Sequence, residues 1–290
     1  MVRHEKLEKT LGYIYIILLL ILMYLPIFVL VVFSFTESTT LGTWSGFSFE
    51  LYSELFLDKQ IQIAIGNTAI IALISATVAT LLGTFGAIGV NECKRRTKKA
   101  FEFATEIPVV NPEIVIALSL TVMFVFIGNY IFRDFQFSFW TLLAGHLVLT
   151  TPFVYLSVKP KLQQMDPSLY EAALDLGCTP RQALRKTVYP EIFPGIASGF
   201  LLAITLSLDD FIVTAFTTGP GLLSGAAKIE TISTYVQSII KKRPLPPRLR
   251  ALCTIIFLLV VIAVVAFTLL QRKAAKKKAP AMRKAGRKSI

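Results

Sequence analysis

Two adjacent acids, Asp209 and Asp210, stand inside the apolar run ITLSLDDFIVTAFTTGPG, residues 204–221. An ionised carboxylate at the centre of a membrane helix costs about 2.5–3.5 kcal/mol on insertion scales, so such groups face a cavity, a cation or a polar neighbour rather than lipid. The chain itself is basic, with 30 Lys and Arg, 18 Asp and Glu and a formal net charge of +12. The pair is therefore not part of a generally acidic surface. Two chemistries suit it: replacing the hydration shell of a cation, or hydrogen bonding between helices. On a helical wheel at about 100° per residue, Gly199, Ala203, Ser207, Asp210, Thr214 and Thr217 share one face of roughly 80°. A small and polar stripe on an apolar helix suits a wetted pathway, which makes Asp210 the expected pathway-facing carboxylate. Asp209 stands about 100° away, at the rim of the stripe, where it either meets a cation from one side or bonds to another helix. Glu113, directly after Pro112, is a further acid in an apolar run, either intramembrane or interfacial. The lone His146 in LAGHLVLTTPF is either a proton relay or a hydrogen-bonded packing residue, and packing is the expectation.

The elements that must carry these residues are membrane helices. A span needs about 20 mostly apolar residues, and six runs qualify: Leu11–Phe35, Ile61–Val90, Phe103–Gly128, Phe139–Val158, Glu191–Thr218 and Ala251–Leu270. An all-α, six-helix polytopic fold follows, with residues 1–10 as a cytoplasmic N-terminus, 11–270 as the membrane domain and 271–290 as a basic tail expected to be disordered. The first run is too long for the apolar core of a signal peptide and lacks a small-x-small cleavage site. Lys and Arg concentrate at the N-terminus, between the second and third runs, between the fourth and fifth, and in the tail, which predicts that both termini are cytoplasmic. One segment departs from that pattern: Lys241, Lys242, Arg243, Arg248 and Arg250 would lie outside. They either contact an acidic surface of an external partner or mark a local error in topology. Cys93, Cys178 and Cys253 are scattered without metal-ligand spacing, so no metal and no disulfide is expected.

The loop between the fourth and fifth runs reads DPSLYEAALDLGCTPRQALRKTVYPEIFPG, residues 166–195. Asp166 can cap a helix entered through Pro167, and Gly177 suits a left-handed stop. Thr179 and Pro180 repeat the start signal for a second short helix through Lys186, with Pro190 and Pro194 opening the fifth span. A helix–glycine–helix of this kind is a charged knob on one membrane face.

EAALDLG, followed by nine residues and then TVYP, resembles the EAA motif of ABC-importer permeases. Thr187 and Tyr189 replace the aliphatic residues usual there. The resemblance implies that Glu171, Ala172, Ala173, Gly177 and Pro190 belong to a coupling-helix loop, residues 159–190, that docks on a separate ATP-hydrolysing subunit. YLPIFVLVVFSF, NPEIVIALSL and LSLDDFIVTAFTTGP extend the similarity over most of the chain, to spermidine/putrescine permeases of the PotC type. What this implies is a MetI-like type I importer core in the bacterial inner membrane. It would pair with a homologous permease, two ATPase subunits and an extracytoplasmic polyamine-binding protein. Asp209, Asp210, Ser207, Glu113, Thr214 and Tyr52 are then the candidate substrate pathway. Tyr52 lies in a YSELF segment similar to the family's, although Leu51 precedes it where the family tends to carry Trp; Trp44 is the nearest substitute in sequence. No GxxxxGK[ST] sequence and no nucleophile–base arrangement occurs, so a non-enzyme without cofactor is expected. Nucleic-acid binding is not expected, since the basic tail carries no interleaved aromatic residue and follows a span. The alternatives are an importer permease for thiamine, ferric ion or an amino-phosphonate, and, from another class, a proton-coupled carrier.

Overall fold

The computed structural model describes residues 2–38, 42–132, 135–219, 229–240 and 246–285. Lys241, Lys242 and Arg243 of the anomalous basic segment lie outside the described residues. Twelve α-helices occur among those described: α1 (Val2–Phe33), α2 (Glu50–Leu57), α3 (Lys59–Asn91), α4 (Arg95–Val110), α5 (Glu113–Phe126), α6 (Phe139–Gln164), α7 (Ser168–Asp175), α8 (Pro180–Ala183), α9 (Tyr189–Asp209), α10 (Ile212–Thr217), α11 (Ile232–Ile240) and α12 (Arg248–Ala285). Two π-turns, Ile127–Ile131 and Leu184–Val188, extend α5 and join α8 to α9. Among the described residues, six helices are long and apolar enough to cross a membrane, so the chain is a multi-pass membrane protein with an all-α fold.

Three boundaries differ from the sequence reading. The third run is broken at Asn111–Pro112, so that the amphipathic α4, which buries no residue, precedes a span opening at Glu113. Asn111 is extended (ψ 143°), the conformation a following proline favours. The fifth span begins well before Glu191: one helical run extends from Pro180 to Asp209. Within it, the Tyr189 N–H reaches back five residues to the Leu184 carbonyl in the π-turn. The tail expected to be disordered continues α12 to Ala285; its Ala, Lys, Arg and Met residues are strong helix formers.

The chain divides into two compact units. The first, residues 1–59 and 242–290, contains α1, α2 and α12. Leu51 and Leu55 of α2 and Leu249, Ala251 and Leu252 of α12 are buried in it. The Arg248 guanidinium lies 2.9 Å from the Asp58 carboxylate, and the buried Arg250 donates to the Ser38 carbonyl at 3.2 Å. Those two arginines of the anomalous segment are thus tied into the fold of this chain.

In the second unit, residues 60–241, α6 lies at the centre. Val154, Tyr155, Val158 and Leu162 of α6 pack on Ala76, Ala79, Ala87 and Val90 of α3, and on Ile192 and Ala203 of α9. Small residues allow these backbones to approach closely, the usual way membrane helices gain packing without a hydrophobic driving force. At Gly199 a Cβ would lie 3.2 Å from the Val154 Cα. A Lys159–Glu102 pair at 2.9 Å and a Phe101–Tyr155 ring contact hold α4 against α6.

Candidate functional site: a buried polar network and two exposed acids

The wheel that grouped Ser207, Asp210, Thr214 and Thr217 is right about the grouping and wrong about what the face meets. All four are buried, along with Gly199 and Ala203, and the stripe packs inside the second unit instead of lining water. The reason is a break in the helix. Asp210 is extended (φ −62°, ψ 125°), so α9 stops at Asp209 and the short α10 starts at Ile212. The break returns the Asp210 carboxylate over the first turn of α10. Oδ1 accepts the Val213 N–H at 3.1 Å, and Oδ2 accepts both the Thr214 N–H and the Thr214 hydroxyl at 2.7 Å. The Asp210 carbonyl accepts the Ser233 hydroxyl at 2.6 Å. Negative charge at a helix start complements the exposed N–H groups there. Asp210 is a buried cap, which corrects its expected place on an open pathway.

His146 joins this cap to two further helices. Its Nε2 lies 3.0 Å from the Thr214 hydroxyl and 3.7 Å from Asp210, and its Nδ1 lies 2.8 Å from the Ser207 hydroxyl. Ser207 in turn accepts from the Ser75 hydroxyl of α3 at 3.0 Å. The Thr214 hydrogen is committed to Asp210, so Thr214 accepts from Nε2–H, leaving Nδ1 to accept from Ser207. A neutral imidazole in that tautomer satisfies a one-way chain, Ser75 to Ser207 to His146 to Thr214 to Asp210. His146 is fully buried and hydrogen-bonded, in agreement with the packing expectation. Ser75 was not anticipated; among the alanines of α3 nothing in sequence separates it from a spacer.

Asp209, expected at the rim, is exposed, and so is Glu113. Helices α5 and α10 lie side by side: Ala117 packs with Val213, and the Thr121 hydroxyl reaches the Phe216 carbonyl at 3.1 Å. That pairing brings Glu113, in the first turn of α5, within electrostatic range of both Asp210 and Asp209. The structure thus gathers the three acids, one inward and two outward.

Tyr52 belongs to the first compact unit. Its hydroxyl lies 2.8 Å from that of Ser34, and its ring meets Phe35 at 5.2 Å in a cluster with Phe47 and Phe49. Trp44 is half exposed and meets Phe33 edge-on.

The first part of the loop after α6 folds as its sequence signals predict, while the second helix, expected to end at Lys186, runs on through the π-turn into α9. The Asp166 carboxylate accepts the Ser168 N–H at 3.0 Å, and hydrogen bonds from the Ser168 backbone and hydroxyl hold its carboxyl below the ordinary carboxylate range. Gly177 is left-handed (φ 82°), and the Cys178 N–H returns to the Ala173 carbonyl at 3.1 Å, closing α7. Thr179 and Gln182 cap α8 reciprocally. Glu171 and Ala172 are exposed, Ala173 is buried, Pro190 is exposed on the first turn of α9, and Leu176 projects almost fully into the open.

Comparison with known proteins agrees with this architecture. Residues 79–277 match the model of the family described as binding-protein-dependent transport system inner membrane component. The spermidine/putrescine transport system permease protein PotC of Escherichia coli (strain K12) is 34% identical over 254 residues, covering 88% of this chain and 91% of that protein. The putrescine transport system permease protein PotI of the same organism is 36% identical over 200 residues, 69% and 71% of the two chains. A chain from the crystal structure of a bacterial ABC transporter involved in the import of the acidic polysaccharide alginate shares the fold, with a TM-score of 0.68 at 18% identity over 92% and 94% of the two chains. PotC and PotI are both named as permease proteins of transport systems. The six spans, the capped loop after α6 and the match over 79–277 lead to one conclusion: the chain belongs to the binding-protein-dependent transport system inner membrane component family.

Proposed function

We propose that the chain is one permease subunit of an ATP-driven polyamine importer, and that Asp209 and Glu113 line its route for the cation. The observation that carries the site assignment is the division of the acids: Asp210 is consumed as a buried cap, whereas Asp209 and Glu113 stand on the outside of the protomer. Exposed carboxylates on membrane-spanning helices are too costly to face lipid. An aqueous route between this chain and a second, homologous permease removes that cost, and an ammonium group passing there finds carboxylates in place of water. The similarity to PotC and PotI supports spermidine or putrescine over thiamine, ferric ion or an amino-phosphonate.

Work enters through the exposed α7 with Glu171, Ala172 and Gly177, which presents a knob to a separate ATPase. A binding protein outside the membrane delivers the substrate, and both termini are cytoplasmic. Family membership leaves no role for a proton-coupled carrier, and His146 is spent on hydrogen bonds inside the fold.

The test is uptake of radiolabelled spermidine by proteoliposomes holding the complete importer with its binding protein. Uptake should require ATP and fall about tenfold in Asp209→Asn or Glu113→Gln, the scale of 1.4 kcal/mol in binding the cation. Undiminished uptake in both variants, with normal assembly, removes these acids from the route. Transport of thiamine in preference to spermidine by the unaltered importer overturns the substrate assignment.

A further inference from the structure

His146 is a fully buried polar group that the transport reading leaves without a task, and its contacts converge on the break between α9 and α10. Four helices contribute to the chain of hydrogen bonds: α3 through Ser75, α9 through Ser207, α6 through His146 and α10 through Thr214. Its last member is the Asp210 carboxylate, whose capping bonds define where α10 begins. Asp209 and Asp210 are neighbours in sequence, so turning one inward turns the other outward. We infer that His146 is a positioning residue: its Nε2–H, through Thr214, locks Asp210 onto α10 and thereby sets Asp209 facing the route. This rests on the reading of Asp209 as a route acid, but it concerns how the side chain is placed and not what it binds.

Close packing supports the assignment, since it leaves the break no easy alternative. A Cβ at Gly145, beside His146, would lie 2.6 Å from Val213 and 3.0 Å from the Thr217 hydroxyl. The Thr217 carbonyl also accepts the Thr141 hydroxyl of α6 at 2.8 Å. The short α10 is thus held to α6 by backbone at one end and by His146 at the other. Buried networks satisfied throughout specify one arrangement, because each member left unpaired carries a desolvation penalty.

The two ring nitrogens permit a discriminating test. In His146→Gln the amide N–H2 reaches the position of Nε2 and preserves donation to Thr214. In His146→Asn only the position of Nδ1 is reached, and in His146→Leu neither is. In a complete importer whose Cys93, Cys178 and Cys253 are replaced by serine, Asp209→Cys reports its own exposure to a membrane-impermeant maleimide. The labelling rate should change about tenfold in His146→Leu and His146→Asn, the scale of one buried hydrogen bond, and stay near the parent in His146→Gln. If His146→Leu does not assemble, Thr214→Val should change the rate while Thr214→Ser, which keeps the hydroxyl, should not. Equal rates in all variants, or equal change in Gln and Leu, overturn the inference. Labelling does not depend on what Asp209 binds, so normal uptake by Asp209→Asn would sink the transport site and leave this test intact.

Discussion

A carboxylate accepting three hydrogen bonds and a carboxylate left exposed answer differently to the same substitution. In Asp210→Asn the amide offers one acceptor where Val213 and Thr214 need two oxygens, and an N–H2 must face a donor. A loss of about 2 kcal/mol in stability is expected, read as a lower unfolding midpoint of the detergent-solubilised chain. Asp209→Asn should leave that midpoint unchanged. Arginines divide in the same manner. Arg250 is buried on the Ser38 carbonyl, whereas the Arg248–Asp58 pair is partly exposed. Arg250→Ala should therefore destabilise by about 1–3 kcal/mol, and Arg248→Ala by less than about 1 kcal/mol. The sequence made the grouping of Ser207, Asp210, Thr214 and Thr217 legible because side-chain periodicity carries across one displaced residue. It could not show which acid turns inward, since that depends on the extended Asp210 and on His146, 64 positions earlier in the chain.

Helices and loops carry predictions of their own. Gly145→Val places methyl groups where Val213 and Thr217 already stand. It should cost about 1–3 kcal/mol and raise amide exchange in α10 before the rest of the second unit. Gly177→Val forces a β-branched residue into the left-handed region at about 1–2 kcal/mol, and should loosen the end of α7 without disturbing α6. Because hydrogen bonds from Ser168 lower the Asp166 carboxyl from its ordinary 3.8, the cap is fully present above that value and lost as pH falls through the lowered one. Exchange protection at Ser168–Tyr170, corrected for intrinsic rates, should stay flat from neutral pH down to about 5 and fall only below it. The loop was readable in advance because each of its signals is local: Asp166, Gly177 and the Thr179–Pro180 pair. Asn111–Pro112 was an equally local signal, and the apolar run on both sides obscured it. Nothing local marks the union of α8 with α9, where a π-turn carries the helix into Pro190.

For the molecule as a whole, the distribution of Lys and Arg predicts orientation. If the loop after α6 and both termini lie on the cytoplasmic side, as that distribution predicts, Ser238→Cys on α11 should react with impermeant reagents only from outside the cell. Reaction from the cytoplasm alone would invert the placement of α11. Hydropathy recovered all six spans because apolar length is a property of composition. The tertiary position of Arg248 and Arg250 was hidden, since charge counts do not distinguish an arginine in water from one bonded to Asp58 or Ser38.

The helical run from Pro180 to Asp209 has a mechanical consequence. Its 30 residues, at about 1.5 Å each, make a rod of about 45 Å with the capped loop at one end and the exposed acid at the other. Pivoted at its midpoint, a tilt of about 10° would sweep Asp209 through about 4 Å, more than the length of a hydrogen bond. Under the proposed coupling, a modest push on the handle would be enough to make or break an ion contact at the tip.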